Sequence, residues 1–260
     1  MDAVRLTETF PIPTSAPRFY NPVSPQPKTR SRMPAHLHLF GFVHLLILAA
    51  VPLLAAALAA LQRNFPASSR PLRIALAILL FLSSALNFGY YALHGDRMFP
   101  DHVPLDLCDV SLYLLIVAIL TLKPLIFDLA YYYALAGASM SLLTPNLTDA
   151  TPAILSVQFF VDHGLMVATV LYMVWSRQAR PRPWSVARAM LAVNIYAALI
   201  FAFDTVFNSD YMFLRAKPDT VSLLTFLGPW PWYILATEPV ALALFLLLYL
   251  PFRRPIPNAA

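Results

Sequence analysis

Cys108 and His163 are the two side chains in this sequence that could together carry out acyl transfer. An imidazole takes the thiol proton, and the thiolate attacks an ester carbonyl to give a thioester. Cys108 is the only cysteine, so it has no partner for an intramolecular disulfide and no second thiolate for a structural zinc site. It lies in Val103-Pro104-Leu105-Asp106-Leu107-Cys108-Asp109, where a polar loop gives way to a long apolar run. A thiol there is also a small hydrophobe that packs well, and a histidine in apolar surroundings bridges helices as readily as it catalyses. Residue types alone leave both readings open.

The elements that must position these groups are set by composition. Of 260 residues, 59% are apolar and 12% charged, which is the balance of a polytopic membrane protein and not of a soluble domain. The formal charge of +5 comes from basic residues scattered over tails and short loops, so it is a topology signal and excludes a nucleic-acid footprint. A bilayer core about 30 Å thick takes roughly 20 apolar residues per helix. The expected fold is an all-α transmembrane bundle of seven spans, near Leu37 to Leu61, Leu72 to Tyr91, Leu105 to Leu122, Pro124 to Leu143, Leu155 to Trp175, Val186 to Phe207 and Tyr233 to Leu250. The third and fourth are short and joined only by Leu122-Lys123-Pro124, which forces a tight hairpin. The fourth is rich in Ala, Gly and Ser between Ala130 and Ser141, a composition that suits the centre of a bundle.

Arginine and lysine near the span ends favour a cytoplasmic C-terminus and an outward N-terminus. Residues 1–35 hold seven prolines and no signal-peptide core, so a disordered basic tail precedes a single helical domain at 36–252, which ends in a short tail at 253–260. With this topology the loops before spans three, five and seven share one face, and Cys108 and His163 enter the membrane from the same side. Phe159, His163 and Met166 then share one stripe of span five, while Gln158 and Asp162 share another.

Ionisable groups at membrane depth cost about 2.5 to 3.5 kcal/mol each and face a cavity or a partner. They are Cys108, Asp109, Asp128, Asp162, His163, Asp204 and Glu238, with Asn87, Gln158 and Asn194 as uncharged companions. Asp162, Asp109 or Asp128 could orient the imidazole. His44 and His163 alone are deep enough to bridge a haem, and span seven has no lysine for a retinal Schiff base. Leu227-Gly228-Pro229-Trp230-Pro231-Trp232-Tyr233 reads either as an interfacial aromatic belt or as part of a lid on the Cys108 face.

In chain order, Pro104-Leu105-x-x-Cys108, Ala130-Tyr131 with Leu135-Ala136-Gly137 and Leu143-Thr144-Pro145, Phe159-Phe160-x-x-His163-Gly164-Leu165, Tyr211-Met212-x-Leu214-x-x-Lys217-Pro218 and Gly228-Pro229-Trp230-Pro231-Trp232-Tyr233 resemble the YwaF-like integral membrane family. That family is grouped with the eukaryotic transmembrane-protein-164 acyltransferases. The resemblance implies a lipid acyltransferase or transacylase in which Cys108 carries the acyl group and His163 assists. Its partners would be a membrane phospholipid and a lysophospholipid. No metal or soluble cofactor is implied, because the donor is itself a lipid. Asp106, Asp109, Asp128, Gln158, Asp162, Tyr211, Trp230 and Trp232 are the candidate orienting or substrate-binding residues. The match departs at Asp106, where relatives often carry histidine, and at Asp210, which stands in for asparagine. Two other classes compete: a proton-coupled transporter or lipid carrier with a polar path through Asp128, His163 and Glu238, and a non-catalytic lipid-binding bundle.

Overall fold

The computed structural model of the protein describes residues 39–96, 98–147, 151–218 and 220–253. The expected tail at 1–35, His36, His38, Arg97 and all of the expected C-terminal tail except Arg253 lie outside the described residues. Helices α1 (Phe42–Asn64) and α2 (Ser69–Leu93) are joined by one short turn at Pro66–Ser68. Helix α1 starts later than the expected Leu37, because Phe40 is in the left-handed region at φ 56° and Gly41 is extended. It ends at Asn64 because Phe65 precedes a proline and takes an extended conformation. A short helical turn, Met98–Asp101, leads to α3 (Leu107–Thr121). Leu122 caps α3 in the left-handed region, and Pro124 opens the next helix at a position that needs no N–H donor. Helix α4 (Pro124–Leu143) is continuous but carries a π turn at Tyr133–Ala138. Helices α5 (Ala153–Trp175), α6 (Ser185–Phe207) and α7 (Trp232–Tyr249) complete the bundle.

Six helices are long and apolar enough to cross a membrane. Helix α3 is the exception: its 15 residues reach about 22 Å at 1.5 Å per residue, short of the roughly 30 Å hydrocarbon core. No strand occurs among the described residues. Helix α4 sits at the centre, packed against α3, α5, α6 and α7. Its small residues permit that approach, and the π turn inserts an extra residue that shifts the side-chain stripe. Three successive tyrosines then reach two different neighbours. Tyr131 Oη donates to Leu248 O of α7, Tyr132 Oη pairs with Ser185 Oγ of α6, and Tyr133 Oη donates to Ala189 O of α6.

The bundle end remote from Cys108 is tied by polar contacts that cross between helices. Arg63 donates to Trp175 O, Arg73 to Ile119 O, and Ser69 to Gln178, which in turn donates to Gln62. Asp128 is fully buried there. Its Oδ1 accepts the Arg182 backbone N–H at 3.0 Å, and its Oδ2 accepts Arg182 and Arg188 guanidinium donors at 2.9 Å.

Candidate functional site

The segment leading into α3 is held in place by residues distant in sequence. Tyr211 Oη accepts from Val103 N–H at 2.9 Å and donates to Pro100 O at 2.5 Å. Tyr196 Oη of α6 donates to Leu105 O at 2.7 Å, and Asp106 Oδ1 accepts from Met212 N–H at 2.8 Å. The Tyr211 segment is fixed in turn from below by the fully buried Asp204, which accepts from Tyr211 N–H and Ser209 Oγ. From the far side Trp230 Nε1 donates to Leu214 O, and Tyr233 Oη donates to Phe213 O. The Pro-Leu-x-x-Cys, Tyr-Met and Gly-Pro-Trp-Pro-Trp-Tyr segments therefore form one hydrogen-bonded layer over the start of α3. Burial pushes the Tyr211 phenol up from its ordinary 10.0, so both of its hydrogen bonds persist at neutral pH. A polar cleft of about 390 Å³ opens in this layer, lined by Asp101, Asp106, Asp210 and Arg215 among others.

Cys108 is the second residue of α3 and is partly buried. Asp106, Asp109 and Asp162 lie within electrostatic reach of its thiol, and Tyr196 lies near the same group. Asp109 stands in the first turn of α3, where a carboxylate is favoured by the helix dipole. Asp162 is buried with one oxygen, Oδ1, without a partner. Gln158 on the same side of α5 donates to Ser83 O of α2 at 3.3 Å. Depth can be counted from the shared remote end, where Arg73 and Ser69 of α2 bond the last turn of α3 and the residues just past α5. Cys108 then lies about 20 Å up α3 and His163 about 18 Å up α5. The shortness of α3 is what brings the two to the same level.

His163 is buried, with its ring tilted over Phe159 at 4.2 Å between centroids. Its Nδ1 lies 2.8 Å from Phe159 O. A carbonyl can only accept, so Nδ1 carries the proton and Nε2 keeps a lone pair with no partner among the described residues. His44 has the opposite tautomer. Its Nδ1 accepts from Phe40 N–H at 2.9 Å, and its Nε2 donates to Leu142 O at 2.8 Å. Both nitrogens of His44 are used, which makes it a clamp between α1 and α4. One nitrogen of His163 is unused. Among the described residues no hydrogen bond joins His163 to Cys108, and no carboxylate orients its ring; the Phe159 carbonyl does that.

A profile of the TMEM164 family matches residues 34–249, which include all seven helices and all the motif segments. The chain belongs to the TMEM164 family. An uncharacterized protein of Treponema pallidum (strain Nichols) is 27% identical over 216 residues, covering 82% of this chain and 89% of that protein. No solved structure matches. With six long apolar helices, this TMEM164 family member is a multi-pass integral membrane protein.

The fold separates the remaining candidates. Asp128 is five residues into α4 from the α3–α4 turn, at the opposite end of the bundle from Cys108, with both oxygens held by arginine donors. It is part of an ion cluster that ties α4 to α6 and does not orient His163. Trp230 belongs to the covering layer, while Trp232 is 63% exposed on its outside. Glu238 accepts from Asn194 at 3.0 Å, and among the described residues no hydrogen bond links Asp128, His163 and Glu238 into a path. Tyr196 was missed from the sequence, although a tyrosine two residues beyond Asn194 in an apolar run was a visible polar signal. Ser83 was also missed, although Ser83-Ser84 interrupts α2 in the same way. Among the described residues no group of three or more His, Cys, Asp or Glu side chains is arranged to hold a metal ion.

Proposed function

We propose that this protein moves a fatty acyl chain between glycerophospholipids through a thioester at Cys108. His163 Nε2 takes the thiol proton, and the thiolate attacks the ester carbonyl of a donor phospholipid. The carbon–oxygen bond breaks, and the departing lysophospholipid alkoxide takes the proton back from His163. In the second half an acceptor lysophospholipid hydroxyl gives its proton to Nε2 and attacks the thioester. The carbon–sulfur bond breaks, and the thiolate is reprotonated. The N–H groups of Leu107 and Cys108 open a helix and have no acceptor within it, so they are available to the oxyanion of each tetrahedral intermediate. General acid–base pairs commonly tighten only in the substrate complex.

The observation that carries this reading is the short α3. A helix about 8 Å shorter than the hydrocarbon core recesses its first residues below the headgroup plane. That sets the thiol among the acyl chains, just under the ester carbonyls at the hydrocarbon edge, and level with an imidazole that has one free nitrogen. Family membership and the convergence of the motif segments on this point support the same reading.

The test is intact-protein mass analysis after incubation with phospholipid donors, with and without neutral hydroxylamine. An acyl adduct that hydroxylamine removes and that is absent from Cys108→Ala supports the thioester. An adduct that survives in Cys108→Ala, or no adduct in membranes that do turn over lipid, refutes it. An unchanged lipid profile with His163→Ala would make the histidine structural.

A further inference from the structure

Helix α5 presents two faces. Gln158 and Asp162 turn toward α2 and α3. The other face carries Ser156, Phe160, Val161 and Gly164 and meets α1 across a cleft of about 640 Å³. Its walls are otherwise hydrocarbon, with Val43 and Leu54 marking its extent along α1, about 16 Å at 1.5 Å per residue. Toward its inner end the two helices draw together at Gly164, where an added Cβ would meet Val51 Cγ2 at 3.3 Å.

One polar group in this cleft is out of keeping with its surroundings. Ser156 is 5% exposed and its Oγ has no hydrogen-bond partner. Several other helical hydroxyls fold back on the carbonyl four residues earlier, as Ser111, Thr121 and Thr205 do, while Thr169 Oγ1, deeper in the same helix, is likewise buried without a partner but lies outside the cleft. Ser156 does not fold back, and a buried unmade hydrogen bond is costly. It stands in the first turn of α5, about 5 Å in from the helix start, with the apolar cleft running inward from it.

We propose that this cleft binds one fatty acyl chain of a glycerolipid, with the ester carbonyl accepting a hydrogen bond from Ser156 Oγ and the chain running along α1 toward Gly164. An ester can only accept and this hydroxyl has an unused proton to donate, so the two are complementary. A glycerolipid also carries its ester at the edge of the hydrocarbon and its chain within it, in the same order as Ser156 and the cleft. The cleft opens on the side of α5 away from Cys108, so the proposal does not rest on acyl transfer there.

The experiment uses the full chain in nanodiscs of phosphatidylcholine bearing a diazirine midway along one acyl chain, irradiated and mapped by peptide mass analysis. Labelling per exposed area should concentrate on residues 43–54 and 156–165. The stripe of α6 at Leu191, Ile195 and Leu199, which is 64%, 55% and 64% exposed, measures ordinary contact with surrounding lipid. Ser156→Ala should cut the excess about fivefold, the weight of one hydrogen bond. Ala50→Trp, which fills the cleft from α1, should abolish the excess and leave the α6 signal intact. Val157→Trp fills it from α5 and serves where the unfolding midpoint shows that Ala50→Trp has not folded. Equal labelling of cleft and α6 stripe, an excess that survives both tryptophans, or no effect of Ser156→Ala overturns the proposal. The hydroxylamine assay at Cys108 reads independently of all three.

Discussion

The two ends of the bundle are built on opposite principles. At the remote end a buried carboxylate meets two arginines, and the cross-helix contacts of Arg63, Arg73 and Gln178 join α1, α2, α3 and α5. At the Cys108 end, Asp106, Asp109 and Asp162 gather around a thiol, and Tyr196, Tyr211, Tyr233 and Trp230 bind loop backbone. One nitrogen of His163 and one oxygen of Asp162 have no partner there. The remote end has unpartnered atoms too, at Ser68 Oγ, Arg73 Nε and Arg188 Nε, so the difference lies in what is gathered: paired opposite charges fix helices in register, whereas carboxylates around a thiol with a free imidazole nitrogen are what the proposed chemistry needs.

Substitutions at the two ends should therefore fail in different ways. Cys108→Ala should lower acyl transfer by roughly 10³-fold or more with no fall in the unfolding midpoint, read by lipid mass analysis and thermal unfolding of the same sample. His163→Ala should cost about 10²- to 10⁴-fold in turnover. His163→Asn, which keeps a donor for Phe159 O, should fold as wild type and remain inactive; activity in that variant would break the contrast. Asp128→Ala should do the reverse. It leaves two arginines without their carboxylate and should cost about 2 to 3 kcal/mol of stability, the usual penalty for a broken buried pair discounted because the arginines are 41% and 35% exposed. Turnover per folded molecule should not change.

The smallest effect concerns the covering layer. Tyr211→Phe removes two hydrogen bonds and should loosen the loop by about 1 to 2 kcal/mol, read from Trp230 fluorescence with the other tryptophans replaced by phenylalanine. The wild type adds a pH signature. A phenol held above its ordinary 10.0 by burial contributes stability that is complete below about pH 10 and is lost as pH rises through the folded value. The wild-type loop should open in alkali, and the Tyr211→Phe loop should show no such step.

Apolar segments long enough to span are legible because lipid demands them, and the seven helices fall within a few residues of expectation except at α1, where the left-handed Phe40 delays the start. The tight hairpin between the two short segments was legible from Lys123-Pro124. The π turn at Tyr133–Ala138 was not, since it depends on how three tyrosines find partners on α6 and α7. Span order put Cys108 and His163 on one side of the membrane but not at a common depth, which needs the tied end as a reference; measured from there they are level. The partner of His163 Nδ1 was beyond reach of pattern reading, because a carbonyl four residues back leaves no mark in side-chain types. Asp128 was misplaced for a related reason: Arg182 lies in the loop before α6 and could not be assigned to it by periodicity.

Cys108 is the only sulfhydryl in the chain, and this has a consequence for oxidation. A sulfenic acid is normally rescued when a second thiol condenses with it, and further oxidation to sulfinic or sulfonic acid is the irreversible alternative. No resolving thiol exists anywhere in this protein, so repair must come from a small thiol or another molecule that reaches the recessed start of α3. Under the proposed mechanism an acyl group on the sulfur would mask it meanwhile, and lipid supply and oxidative damage would then compete for a single atom.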